Sequence, residues 1–150
     1  MGRDWTIDTY VLYKAAEVNY DAIVFLNRII EEKHRVTFDY EDCIKEQYKR
    51  CLTKSQCERK GGSEALKKWF IFVVGSLAQK YSGKLYKRYQ VKLKKLNFDQ
   101  SDWPFVAVCA HTKNKNLVSE DSDYSEQIKE YLKKEMNICV VSIQDSLKIR

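Results

Sequence analysis

Trp5-Thr6-Ile7-Asp8-Thr9-Tyr10-Val11-Leu12 is the stretch on which the fold turns. Its first residues are aromatic and β-branched and end on an acid, which reads as a short strand. From Val11 the period changes, and Val11, Leu12, Ala15 and Ala16 recur at helical spacing. The alternation then repeats along the chain. Ala22, Ile23, Leu26, Ile29 and Ile30 make a second helix, with Asn19 as its break and cap. His34 to Phe38 is a second strand, and Ile44, Tyr48, Cys51 and Leu52 stripe a third helix. Gly61-Gly62 breaks the chain and Ser63 can cap the next helix. In that helix Leu66, Trp69, Phe70, Val73, Val74 and Leu77 form a core stripe, with Ile71 and Phe72 outside it.

Lys84 to Leu96 carries Leu85, Tyr89, Leu93 and Leu96 on one face and basic residues on the other. Asp102 opens a helix through Phe105, Val106, Val108 and Cys109, and Asn116 to Ser119 is a third strand. Ile128, Tyr131 and Leu132 mark a further helix, and Ile138 to Val141 a fourth strand. Short apolar strands between helices imply an α/β domain, a three-layer α/β/α sandwich around a parallel sheet of about four to five strands. Residues 1–150 read as a single domain.

The composition fits that reading. A chain of 150 residues, 44% hydrophobic and 32% charged, is globular rather than disordered. The apolar run Trp69 to Val74 falls far short of the roughly 20 residues needed to span a bilayer. The opening residues lack the apolar core of a secretory signal, so a cytoplasmic protein without a membrane partner is expected. Cys43, Cys51, Cys57, Cys109 and Cys139 are odd in number, have no CxxC spacing and lie near no histidine, which reads as reduced thiols rather than zinc ligands. The net charge of +6 permits a polyanionic partner. Gly61-Gly62 has neither P-loop nor GxGxxG spacing, which disfavours a nucleotide-binding protein.

In open parallel sheets, ligands gather beyond the carboxyl ends of the strands. Asp8 ends the first strand, Asp121 and Asp123 follow the third, and Asp102 stands at a helix start. Usual right-handed crossovers would bring these acids to one rim. Clustered carboxylates repel, and a divalent cation offsets the repulsion; oxygen ligands without Cys or His favour Mg²⁺ or Mn²⁺. Each acid also has a plainer use as a helix cap: Asp8 for the helix after it, Asp102 before Trp103-Pro104, and Asp121 to Asp123 as a solvated turn.

Four segments together carry a family resemblance. Residues 5–12 resemble the opening motif of PIN-domain ribonucleases, a strand ending in Asp-Thr followed by Asn-Val-Leu. Ile44-Lys45-Glu46-Gln47-Tyr48 resembles the family's helix bearing a Glu. Asp102-Trp103-Pro104-Phe105-Val106-Ala107-Val108-Cys109-Ala110 is similar to its Asp before an alanine-rich helix. Leu117-Val118-Ser119-Glu120-Asp121-Ser122-Asp123-Tyr124 is similar to its closing pattern. The resemblance implies a Mg²⁺- or Mn²⁺-dependent endoribonuclease that uses one or two ions to hydrolyse phosphodiester bonds in single-stranded or structured RNA. Asp8, Asp102 and Asp121 would be ligands, with Glu46 bridging to or orienting a water and Asp123 secondary. Thr9 and Ser119 would hold the carboxylate rotamers.

Many small PIN domains are toxins of toxin–antitoxin pairs, which adds an inhibitory protein partner and a homodimer to the expectation. Tyr10 stands where the family has Asn, and Ser119 where it has Thr. Tyr10 motivates the alternative, a PIN-like module with impaired catalysis that binds RNA or protein. For substrate contact, Lys45, Lys49 and Arg50 flank Glu46, and Lys84, Lys87 and Arg88 lie among Tyr81, Tyr86 and Tyr89. Such a mixture of cations and rings could hold phosphates and unpaired bases, or be a solvated amphipathic helix.

Overall fold

The computed structural model describes residues 2–54 and 63–149. The Gly61-Gly62 break and Cys57 lie outside the described residues, as does the side chain of Ser63. The chain runs β1 (Asp4–Ile7), α1 (Thr9–Ala16), α2 (Tyr20–Glu31), β2 (Arg35–Asp39), α3 (Cys43–Thr53) and α4 (Ser63–Phe72). There follow β3 (Ala78–Tyr81), α5 (Lys87–Lys95), α6 (Trp103–His111), β4 (Asn116–Val118), α7 (Glu126–Met136), β5 (Cys139–Val141) and α8 (Ile143–Ser146). The five strands are all parallel, in the order β3-β2-β1-β4-β5, with helices flanking the sheet as a three-layer α/β/α sandwich.

Alternation in β1 explains the layers. Trp5 meets Phe25 of α2 edge-on at 5.2 Å, while the neighbouring Thr6 reaches Cys109 of α6. A buried hydroxyl needs a partner, and Thr6 shares one with Thr37 of β2 at 2.8 Å. Above the end of β1 sits Tyr48 of α3, fully buried, its hydroxyl donating to the Ile7 carbonyl and its ring against Phe38, Phe70 and Phe105. β1 divides its pairing lengthwise. Asp4 and Trp5 pair with β2, and Thr6 and Ile7 pair with β4.

The expected cap at Asn19 is present, its side chain accepting from the Ala22 amide at 3.0 Å. The fifth strand corrects the expected long helix through Leu77. α4 ends at Phe72, a π-helical turn spans Val73–Leu77, and β3 follows at once. Two β-branched residues and Gly75 in succession weaken an α-helix there, although their apolar spacing imitates one. No helix among the described residues is long and apolar enough to cross a membrane.

Candidate metal and phosphodiester site

From β1 the chain winds to β2 and β3 on one side, and β4 and β5 lie on the other. The order therefore reverses between β1 and β4, and in such sheets the crevice for a ligand opens at that point. A cleft of about 440 Å³ lies there, lined by Asp8, Asp102, Asp121 and Asp123 together with residues of α1 and α3.

Asp8 stands at the start of α1 in extended conformation, yet its carboxylate makes no capping hydrogen bond. It is only 3% exposed. Burial raises its pKa to about 6; Asp121 pushes the same way, while the Ser119 hydroxyl and the Thr9 and Tyr10 amides favour its charge. Ser119 donates to Asp8 Oδ2 at 2.7 Å and its oxygen accepts from the Asp121 amide at 3.0 Å. Asp121 Oδ1 in turn accepts from the Asp123 amide at 2.9 Å. One chain of hydrogen bonds thus fixes the three acids relative to one another. Replacing Ser119 by Ala should push the Asp8 carboxyl above its value of about 6. Were the acids to hold Mn²⁺, the same change would weaken its binding about tenfold or more, the usual cost of losing a partner that orients a ligand. Carbon-13 NMR titration of the carboxyl with calorimetry tests this, and an unmoved titration would contradict it.

Asp102 ends a short 3-10 turn, Gln100–Asp102, and also makes no capping bond; Asp99 caps that turn through the Ser101 amide. Its Oδ2 is buried and has no hydrogen-bond partner among the described residues. What stands beside it is another acceptor, the Asp123 carboxyl, close enough to share a proton. Burial first, then Asp123, Asp8 and Asp121, hold Asp102 far above the usual carboxylate range. Such a set suits a proton or a cation between the oxygens. Among the described residues no three His, Cys, Asp or Glu side chains converge as a ready-formed metal cage. The acids line the cleft rather than crowd one point.

The other wall differs from the expectation. Glu46 does not line the cleft; it is 60% exposed and pairs with Lys49 at 3.4 Å. Helical geometry gives the reason, since about 100° per residue carries Glu46 about 200° round from Ile44, opposite the buried stripe. Gln47, Arg50 and Lys54, at three- and four-residue spacing, take the cleft side instead. Gln47 donates to the Ser101 carbonyl at 2.7 Å and accepts from the Thr9 hydroxyl at 3.3 Å, tying α1 to the turn that carries Asp102. Thr9 therefore bonds Gln47 rather than a carboxylate.

Tyr10 and Tyr13 of α1 complete this wall, with the Lys14 ammonium 5.4 Å from the Tyr10 ring centre and the Lys54 ammonium 5.0 Å from that of Tyr13. Of the expected substrate contacts, Arg50 lines the cleft, whereas Lys45 and Lys49 do not. Lys84 and Arg88 line other concavities, and Lys87 is exposed on α5. Sequence patterning does not bring Gln47, Tyr13, Lys54 and Ser101 to the cleft, although the three- and four-residue spacing of Gln47, Arg50 and Lys54 is a signal for two of them, Gln47 and Lys54. The Tyr124 hydroxyl is buried beside the acids without a partner among the described residues, and burial, then Asp8 and Asp102, keep it protonated.

A scan of family models, a search of curated proteins and a search of solved structures each found no match to this chain.

Proposed function

We propose that the chain is a metal-dependent phosphodiester hydrolase of PIN type that cleaves RNA internally. One observation carries the reading: a buried, partnerless Asp102 oxygen shares a switch-point cleft with Asp8, Asp121 and Asp123, while Arg50 and Lys54 line the other wall. Asp8, Asp102 and Asp121 would hold Mg²⁺ or Mn²⁺, with Asp123 assisting. When bound, the ion supplies Lewis acidity and makes water a competent nucleophile near neutral pH. Ser119 keeps Asp8 in one rotamer, and Gln47 sets the spacing between α1 and the Asp102 turn. Arg50 and Lys54 neutralise phosphate, and the Tyr10 and Tyr13 rings offer faces to a base. Glu46, exposed and paired with Lys49, stands outside the cleft and takes no part in this reading.

Tyr10 on the wall, and carboxylates that are not gathered into a cage, favour a second reading, an RNA-binding module of the same type with impaired catalysis. Ile71 and Phe72, 70% and 47% exposed, are the surface that a second copy or an inhibitory protein would use in the toxin version of the proposal. Purified protein incubated with single-stranded RNA and DNA under Mg²⁺ or Mn²⁺ separates the readings. Internal cleavage of RNA that Asp102→Asn and Asp121→Asn reduce by about a hundredfold or more is expected. RNA bound but uncut under either ion would leave the second reading standing.

A further inference from the structure

The acid cleft is smaller than a second concavity of about 720 Å³ that shares no lining residue with it. Helix α6 joins the two places. Asp102 at its start faces the acids, and His111 at its end lines the larger groove, nine residues or about 13 Å further on. The floor of the groove is apolar, built from Leu85, Ala107, Ala110 and Met136. Its sides carry Tyr86, Tyr89, Lys84 and Lys134. A further concavity of about 370 Å³, lined by Arg88, Tyr89, Lys92, Tyr131 and Glu135, shares Tyr89 and Glu135 with it. The two form one groove between α5 and α7.

The side chains there are poorly explained by folding alone. Tyr86 is 73% exposed, with its ring 6.2 Å from Tyr89 and tilted by 35°, so one face stays open. The Arg88 guanidinium lies 4.7 Å from the Tyr89 ring centre and donates to its hydroxyl at 2.9 Å. Lys84, Arg88, Lys92 and Lys134 gather along the groove against one lining carboxylate, Glu135. Cations crowded beside the open Tyr86 ring repel one another and are complementary to a chain of phosphates carrying unpaired bases.

We propose that this groove binds single-stranded nucleic acid, with a base stacked on Tyr86 and phosphates held by Lys84, Arg88, Lys92 and Lys134. Its use, to hold one part of an RNA while another part lies at the acids, rests on the nuclease reading; the binding itself does not. A groove at one end of α6 and acids at the other favour substrates with an unpaired stretch beside the cut.

Fluorescence anisotropy with labelled oligouridylate, in EDTA so that nothing is cut, tests the binding on the full chain. Tyr86→Ala is expected to weaken it about fivefold or more. Lys134→Ala is expected to lower the slope of log affinity against log salt by about one. Tyr86 and Lys134 are both exposed, so each variant should fold, and circular dichroism checks it. Equal affinity for a duplex of the same length, or affinity unchanged in both variants, would overturn the proposal. So would no binding at low salt, or polyglutamate binding as tightly, the last identifying an acidic-protein site. Strand binding that depends on Tyr86 while the wild type fails to cleave RNA with Mn²⁺ would uphold the groove and overturn only the nuclease reading.

Discussion

Asp8→Asn melts higher than the wild type when both are stripped of divalent metal near neutral pH. Burial raises the Asp8 carboxyl from 3.8 to about 6. Between those two values the folded protein keeps a proton that the unfolded chain has released. Stability from this group is therefore full below about pH 4 and falls as pH rises towards about 6. Above that it stays low. A shift of about two units corresponds to up to about 3 kcal/mol, which an uncharged Asn recovers while still accepting the Ser119 bond. For a chain of this length the gain is on the order of 5–10 °C in melting temperature. Asp102 is displaced in the same direction, which extends the window upwards.

Mn²⁺ should raise the melting temperature of the wild type and leave that of Asp8→Asn nearly unmoved, because only the former gains a ligand that the unfolded chain lacks. On the proposed reading the stabilised variant should also fail to cleave RNA. Differential scanning calorimetry across pH, with and without Mn²⁺, gives both comparisons. A metal-free Asp8→Asn protein that melts below the wild type near neutral pH would mean that the carboxylate is held for internal contacts rather than for a cation.

Tyr48→Ala should cost about 3–5 kcal/mol, the range for deleting a large buried ring. Tyr48 has no exposed surface, touches Phe38, Phe70 and Phe105, and ties α3 to the last peptide of β1. Tyr48→Phe keeps the ring and removes only the donor to Ile7, so about 1–3 kcal/mol is expected. A domain of this kind has only about 5–15 kcal/mol to lose, so the Ala variant should be partly unfolded at physiological temperature. Urea titration of the two variants side by side separates ring from hydroxyl. An Ala variant no worse than the Phe variant would show that the aromatic packing contributes little.

The sequence carried more of the fold than of the site. Strand β1 and helix α1 were legible because their apolar periods differ within a few residues, and Asp8 sits at the change. Asp121 and Asp123 were legible for the same reason at β4. β3 was not, because Val73, Val74 and Leu77 keep a helical spacing through a π-helical turn and Ala78 to Tyr81 is too short and polar to announce itself. On α3 the stripe Ile44-Tyr48-Leu52 sets Glu46 off the buried side, which distinguishes it from the nearby Asp39, Glu41 and Asp42 but does not say which flank meets another helix. Gln47 is not legible in the sequence, because an uncharged amide gives no sign of its reach across the chain. The basic residues from Lys84 to Lys92 were visible as a group, but only packing against α6 and α7 divides them between grooves and open surface.

The divided pairing of β1 makes it a short spar shared by both halves of the sheet. Asp4 and Trp5 pair on the β2 side, and Thr6 and Ile7 on the β4 side. Asp121 and Asp123 follow β4 while Arg50 sits on α3, so the cleft is walled by elements from both sides of the spar. Gln47 is stitched across it by its bond to Ser101. Anything gripped by both walls works as a splint, so its arrival should be felt along the spar as slower exchange of the β1 amides, whether or not any bond in the ligand is broken.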